Sequence, residues 1–169
     1  MTTKQPMSTI SAVMSGCDRY RWHLLRVWNH ELPNMVWVML NPSTADGITD
    51  DPTIRKCIGF ARELGFGSIS VVNLFGWRST NPDLLADVID PVGDKNDEWI
   101  SSAIAHAGMV ICAWGKHGSL LNRDAEVREM IRAANVTAHY LRLNKDGSPG
   151  HPLYIPYTAQ PVPWYGVGV

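Results

Sequence analysis

The sequence predicts an α/β fold: a three-layer α/β/α sandwich around a mostly parallel sheet, with a β-hairpin ahead of the first strand–helix–strand unit. Three observations carry this expectation. Short apolar runs alternate with helix-period segments between residues 35 and 143, and alternation of that kind builds a parallel sheet covered on both faces. Strand-like runs lead into polar or glycine-rich ends at Asn41-Pro42-Ser43, at Asn73, at Trp114-Gly115 and at Gly150-His151-Pro152. Open α/β sheets place their chemistry at such ends, so these four are expected to meet in one pocket. Finally, 169 residues with 45% hydrophobic and 18% charged side chains suit one globular domain with a substantial core.

Taken in order, residues 1–18 read as a loose polar leader without the charged-then-apolar order of a secretory signal, and residues 19–169 as one domain. Residues 20–28 alternate Tyr20, Trp22 and Leu24 against Arg19, Arg21 and His23, a strand pattern. A turn containing Pro33 leads to a second strand over 35–40, as a hairpin or as a neighbour. Asp51-Pro52 has the form of an N-cap with proline at the first helical position. Ile54, Cys57, Ile58, Ala61 and Leu64 follow at helical spacing, and Gly65 ends the helix. Residues 68–75 form the third strand, closing a right-handed βαβ unit. Asn81-Pro82-Asp83 starts a short helix. A helix over 96–107 carries Trp99, Ile100, Ala103 and Ile104 on one face, and Gly108 ends it. Residues 109–114 are the fourth strand, 124–134 a helix, 137–143 the fifth strand, and the Pro/Gly-rich tail holds one further short strand at 153–155.

The net charge of −1 makes no general case for nucleic acid and leaves a local basic face open. Three cysteines have neither paired nor metal-like spacing; Cys57 and Cys112 sit in apolar patterns as buried thiols, which suits a reducing, cytoplasmic setting. No apolar run approaches membrane-spanning length.

Asn41-Pro42-Ser43-Thr44-Ala45-Asp46, Asp51-Pro52-Thr53-Ile54-Arg55, Val72-Asn73-Leu74-Phe75, Ala113-Trp114-Gly115 and His151-Pro152-Leu153-Tyr154 together closely resemble the bacterial and phage domain-of-unknown-function family 1643, over residues 20–164. More remotely, Met39-Leu40-Asn41-Pro42-Ser43, Asn73, Ala113-Trp114-Gly115 and His151-Pro152 are similar, in that order, to the strand-end motifs of the uracil-DNA glycosylase superfamily. Met39 and Ser43 stand where that superfamily usually has glycines.

The remote resemblance implies a uracil-DNA glycosylase-like sandwich and hydrolysis of an N-glycosidic bond without metal or cofactor. The substrate would be a uracil-type or 5-modified pyrimidine, flipped from DNA or presented single-stranded. Asn41 would orient the water, with Asp46 as the alternative and stronger base. His151 would donate to the base carbonyl as charge grows there. Asn73 carries a donor and an acceptor on one amide and can pair with a pyrimidine edge. Phe75, Trp77 or Trp114 would stack on the base, and Leu153 or Tyr154 would wedge into DNA. Arg55, Lys56, Arg78, Lys116 and Arg123 would contact phosphates. Ser43, where a bulky residue guards some relatives, would admit a larger base.

Structural readings stand beside these. Asn41-Pro42-Ser43 is also a sound turn, Asp46, Asp50 and Asp51 are natural capping and solvating groups, or a magnesium site, and Trp114 fits a core. The function alternatives are a non-catalytic base- or nucleotide-binding module and a small-molecule nucleoside or nucleotide hydrolase.

Overall fold

The computed structural model describes residues 5–165. Its strands are β1 (Thr9–Met14), β2 (Arg21–Val27), β3 (Asn34–Met39), β4 (Ser68–Asn73), β5 (Met109–Cys112), β6 (Ala138–Tyr140) and β7 (Val162–Pro163). Its α-helices are α1 (Pro52–Glu63), α2 (Asn96–Ala105) and α3 (Arg123–Ala133), with 3-10 turns at Pro82–Asp87, Lys116–Asn122 and Pro152–Tyr154. The strands form one seven-stranded sheet in the order β1-β2-β4-β3-β5-β6-β7. The centre, β4-β3-β5-β6, is parallel. Antiparallel pairings at β1/β2, β2/β4 and β6/β7 extend it on both sides.

Strict alternation along the central strands divides the core in two. Met35, Trp37 and Met39 of β3 pack with Ile54, Cys57, Phe60 and Ala61 of α1. Val36 and Val38 point the other way and pack with Ile100 and Ile104 of α2 and Val127 and Ile131 of α3. Helices therefore cover both faces, and central strands buried on both faces read as continuous apolar runs. Cys57 and Cys112 lie one in each half, and burial raises both thiol pKa values.

The α1 boundaries follow from the chain's own chemistry. Asp51 accepts from the Ile54 N–H at 2.9 Å, and Pro52 occupies the first turn, where it removes no helical hydrogen bond. At the other end Gly65 N–H donates to Arg62 O at 3.2 Å and Phe66 N–H to Ala61 O at 2.9 Å. That is a Schellman pair, with Gly65 at φ 83° in the left-handed region.

Three expectations need correction. Residues 1–18 are not a loose leader throughout: residues 1–4 lie outside the described residues, but β1 pairs antiparallel with β2, and Arg26 ties the two by donating to Ser11 O at 3.1 Å. The hairpin is β1/β2, and β2 does not neighbour β3. The 28–33 turn closes around the start of β4 instead: Trp28 and Asn29 N–H donate to Gly67 O at 2.9 and 3.0 Å, and Gly67 N–H donates to Pro33 O at 2.9 Å. A Cβ on Gly67 would sit 2.0 Å from Asn29 O, so the approach requires glycine. Last, residues 153–155 are not a strand: Pro152 and the His151 side chain, which accepts from Leu153 N–H, start a 3-10 turn there. The tail's strand is β7.

Candidate functional site

The chain leaves β3 through α1 to reach β4 on one side, and later returns to β5 on the other side of β3. At such a switch point the connections diverge and leave a crevice beyond the carboxyl ends of the strands. A cavity of about 500 Å³ lies there, within the ~300–1,000 Å³ usual for small-molecule sites. Asn41 and Ser43 follow β3, Asn73 ends β4, Trp114 and Lys116 follow β5, and His151 and Tyr154 come from the tail; all line this one space. A second cavity, about 520 Å³, is lined by residues of the β1–β2 turn, by Trp22 and by Asp90, Asp94 and Lys95. None of its lining side chains carries an unpaired buried polar atom, so the chemistry is assigned to the first.

Asn41 is held from behind. Its Nδ2 donates to Ser79 O at 2.9 Å, Pro42 O at 3.2 Å and Trp77 O at 3.4 Å. Three carbonyls around one nitrogen fix the amide orientation and leave Oδ1, an acceptor, for the cavity. Asn73 is 2% exposed, and its Nδ2 has no hydrogen-bond partner. Its backbone is clamped: Asn73 O accepts from Asn96 Nδ2 at 2.8 Å, and Leu74 O accepts from Asn96 Nδ2 at 3.1 Å and Arg123 Nε at 2.8 Å. A rigid backbone thus presents an amide that the protein itself leaves unpaired.

His151 is half-buried, and its Nδ1 accepts from Leu153 N–H at 3.3 Å. Burial lowers its pKa, with Asp51 opposing, so the ring is neutral near pH 7. A neutral imidazole that accepts at Nδ1 carries its proton on Nε2. The cavity is therefore offered a neutral donor.

Other expected residues divide. Ser43, Trp114, Lys116 and Tyr154 line the cavity; Trp114 is 3% exposed and also packs on Trp164, with ring centroids 5.7 Å apart. Asp46 is not at the cavity: its Oδ1 accepts from Ile48 and Thr49 N–H at 2.8 and 2.7 Å and shapes its own loop. Phe75 is fully buried in the half of the core under α2, so it is not a stacking surface. Trp77 meets Tyr20 edge-on, ring centroids 5.3 Å apart, outside the lining. Arg123 is no phosphate contact: it is 2% exposed and pairs with Asp97 and Glu126. Arg78 donates to Asp18 O at 3.0 Å, exposed Arg55 donates to Asp50 O at 2.9 Å, and Lys56 lies 4.0 Å over the Tyr157 ring. None of these three, nor Leu153 at 37% exposure, reaches the cavity lining.

The three aspartates do not converge on an ion. Asp46 caps its loop, Asp51 caps α1, and Asp50 is not merely solvated but pairs with Arg26 Nε at 2.8 Å. Among the described residues no three His, Cys, Asp or Glu side chains are placed to hold a metal, and no helix is long and apolar enough to cross a membrane.

Sequence reasoning missed Arg21, Asp51, Thr53, Ser79, Thr80 and His117 in the lining. Of these Asp51 was legible as a cap, a solvating group or part of a magnesium site, and Arg21 only as the polar phase of an alternating strand. No curated protein and no solved structure matches the chain. A family model described as "Protein of unknown function (DUF1643)" matches residues 21–153, and the chain belongs to that family.

Proposed function

We propose that the cavity recognises a pyrimidine-type nucleobase and hydrolyses its N-glycosidic bond, as the resemblance of these strand ends to the uracil-DNA glycosylase superfamily implies. The observation that carries the reading is the Asn73 amide, buried, unpaired and at the wall of a cavity that also holds Asn41 and His151. An unpaired buried donor costs about 1–3 kcal/mol, and a ligand edge with a matching acceptor removes that penalty.

The chemistry follows from the three groups. The C1′–N bond breaks with its electron pair going to the base, and positive charge develops on the sugar. The Nε2–H of His151 donates to the base carbonyl oxygen, where the negative charge accumulates, and Asn73 holds the base edge. Asn41 Oδ1 accepts a hydrogen bond from a water and orients its oxygen toward C1′; the water's proton leaves to solvent. The rate comes from dipoles fixed before reaction, which suits an Asn41 amide tethered at three carbonyls.

One observation favours a free nucleoside or nucleotide over duplex DNA as substrate. Of the five basic residues expected at phosphates, only Lys116 lines the cavity, and Arg123 is internal. The test presents uracil and 5-hydroxymethyluracil in single- and double-stranded oligonucleotides, followed by alkali, and the corresponding nucleosides and nucleotides followed by base-release chromatography. Release of base from any of them, lost in Asn73→Leu, supports the proposal; no release from any, with no binding, ends it. Binding without release selects the non-catalytic base-binding module.

A further inference from the structure

Three arginines are almost wholly removed from solvent: Arg21, Arg26 and Arg123. Arg26 is paired with Asp50, and Arg123 with Asp97 and Glu126. Among the described residues Arg21 has no carboxylate within ion-pair distance, and of the three it alone lines the cavity. Among the described residues its one side-chain hydrogen bond runs from Nη1 to Ala45 O at 2.8 Å, while Nε is buried without a partner. Burial lowers its pKa to about 10, with Asp51 opposing the shift, so the guanidinium is charged at neutral pH. A desolvated cation whose carboxylates, Asp51 and Asp46, act on it only from beyond ion-pair distance is unfavourable. Chains retain such a group where an anion completes it.

We propose that Arg21 is the anion-binding residue of this cavity and that it takes a phosphate carried by the same nucleotide whose base the pocket reads. The inference rests on the base reading above for the identity of the ligand, but not for the existence of the anion site. The guanidinium fork matches two phosphate oxygens at once. The lining sets Arg21 and Lys116 against a single carboxylate, Asp51, one of whose oxygens already accepts from Ile54 N–H. Ser43, Thr53 and Thr80 line the same cavity and carry hydroxyls that can act as neutral donors.

A free nucleotide and a strand residue carry the same phosphate chemistry, so the test has arms for each. Calorimetry on the full chain compares uridine, uridine 5′-monophosphate and a single-stranded oligonucleotide bearing one uracil. Thermal unfolding compares inorganic phosphate with chloride at matched ionic strength. The monophosphate is expected to bind about ten-fold or more tightly than uridine. Arg21→Gln should erase that gap, and inorganic phosphate should raise the melting temperature of the parent chain but not of the variant. Should Arg21→Gln not fold, Arg21→Lys keeps the charge, loses the fork and should narrow the gap. An oligonucleotide bound as tightly as the monophosphate assigns the phosphate to a strand; weaker binding assigns it to a free nucleotide. Equal binding of uridine and its monophosphate by the parent chain overturns the proposal, as does a gap that survives both substitutions. Phosphate stabilisation that needs Arg21, with no binding of any nucleoside or nucleotide, would instead sink the base reading and leave the anion site standing.

Discussion

Replacing Asn73 by leucine sets stability against function in opposite directions, which few single substitutions do. Asn73 is 2% exposed, ends an apolar strand and leaves Nδ2 without a partner. Its backbone contacts to Asn96 survive any side-chain change, because Asn96 bonds the carbonyls of Asn73 and Leu74. Leucine branches at the same carbon and has no polar atom; it is larger than asparagine, but the adjoining cavity of about 500 Å³ can take the excess, so the change removes an unpaired donor worth about 1–3 kcal/mol and opens no void. Allowing for imperfect fit, the variant should gain about 1 kcal/mol, or roughly 2–4 °C in melting temperature for a chain of this size. On the proposed reading the same change deletes the group that would hold the leaving base, and loss of one such donor should lower turnover by about 10²–10³-fold. Urea and thermal unfolding measure the first effect; base release under single-turnover conditions measures the second. A variant that loses about 2 kcal/mol or more and keeps its turnover refutes the reasoning, because the amide would then be part of the scaffold.

Three further outcomes follow from the same contacts. Ser43→Tyr should narrow the range of bases, sparing uracil and excluding 5-substituted uracils; an unchanged ratio of the two rates would remove Ser43 as a size filter. Asp50→Asn strips the counter-charge from an arginine 1% exposed and should cost about 3 kcal/mol or somewhat less, Asp50 itself being partly solvated; a change in urea midpoint equivalent to under about 0.5 kcal/mol would show that the pair contributes little. His23, packed on Trp99 with ring centroids 5.3 Å apart, has its pKa lowered to about 4, chiefly by burial. Its unfolded value is about 6.5, so between these values the unfolded chain binds the extra proton. Its contribution is complete above about pH 6.5 and is lost as pH falls toward 4, at most about 3 kcal/mol for ~2.5 units at 1.36 kcal/mol each. His151, shifted in the same direction, adds to the slope. Stability measured at pH 7 and pH 5 should differ less in His23→Gln; equal differences would place the acid sensitivity elsewhere.

Local signals in the chain give local structure faithfully and partners poorly. Asp51-Pro52 and Gly65 bound α1 because the cap, the proline and the left-handed residue each act within one turn. The apolar runs identify the central strands because both faces of that sheet are covered. The insertion of β4 between β2 and β3 depends instead on Gly67 meeting residues 28–33, and nothing in either segment alone names the other. The strand β1 has no further strand on its outer edge among the described residues, and pairing with its hairpin neighbour β2 together with the Arg26 bond to Ser11 O holds it. Phase also misleads where a strand stops. Asn73 and Phe75 are two apart and would share a face in a continuing strand, but β4 ends at Asn73 and Phe75 turns into the opposite half of the core.

The site shows the same division. Asn41, Asn73 and His151 were readable because polar residues interrupt or terminate apolar runs, and a buried amide must find partners. Arg21, Arg26 and Arg123 were not, since an arginine that pins a loop, one that clamps a carbonyl and one without an ion pair have the same letter and similar neighbours. What separates them is pairing. Arg26 and Arg123 have carboxylate partners within the protein, and removing either should cost stability; among the described residues Arg21 has no ion pair and leaves Nε unpaired, and Asn73 leaves Nδ2 unpaired. A guanidinium with no ion pair and an amide nitrogen with no partner, both lining one cavity, suit a ligand carrying both an oxyanion and a hydrogen-bonding heterocycle.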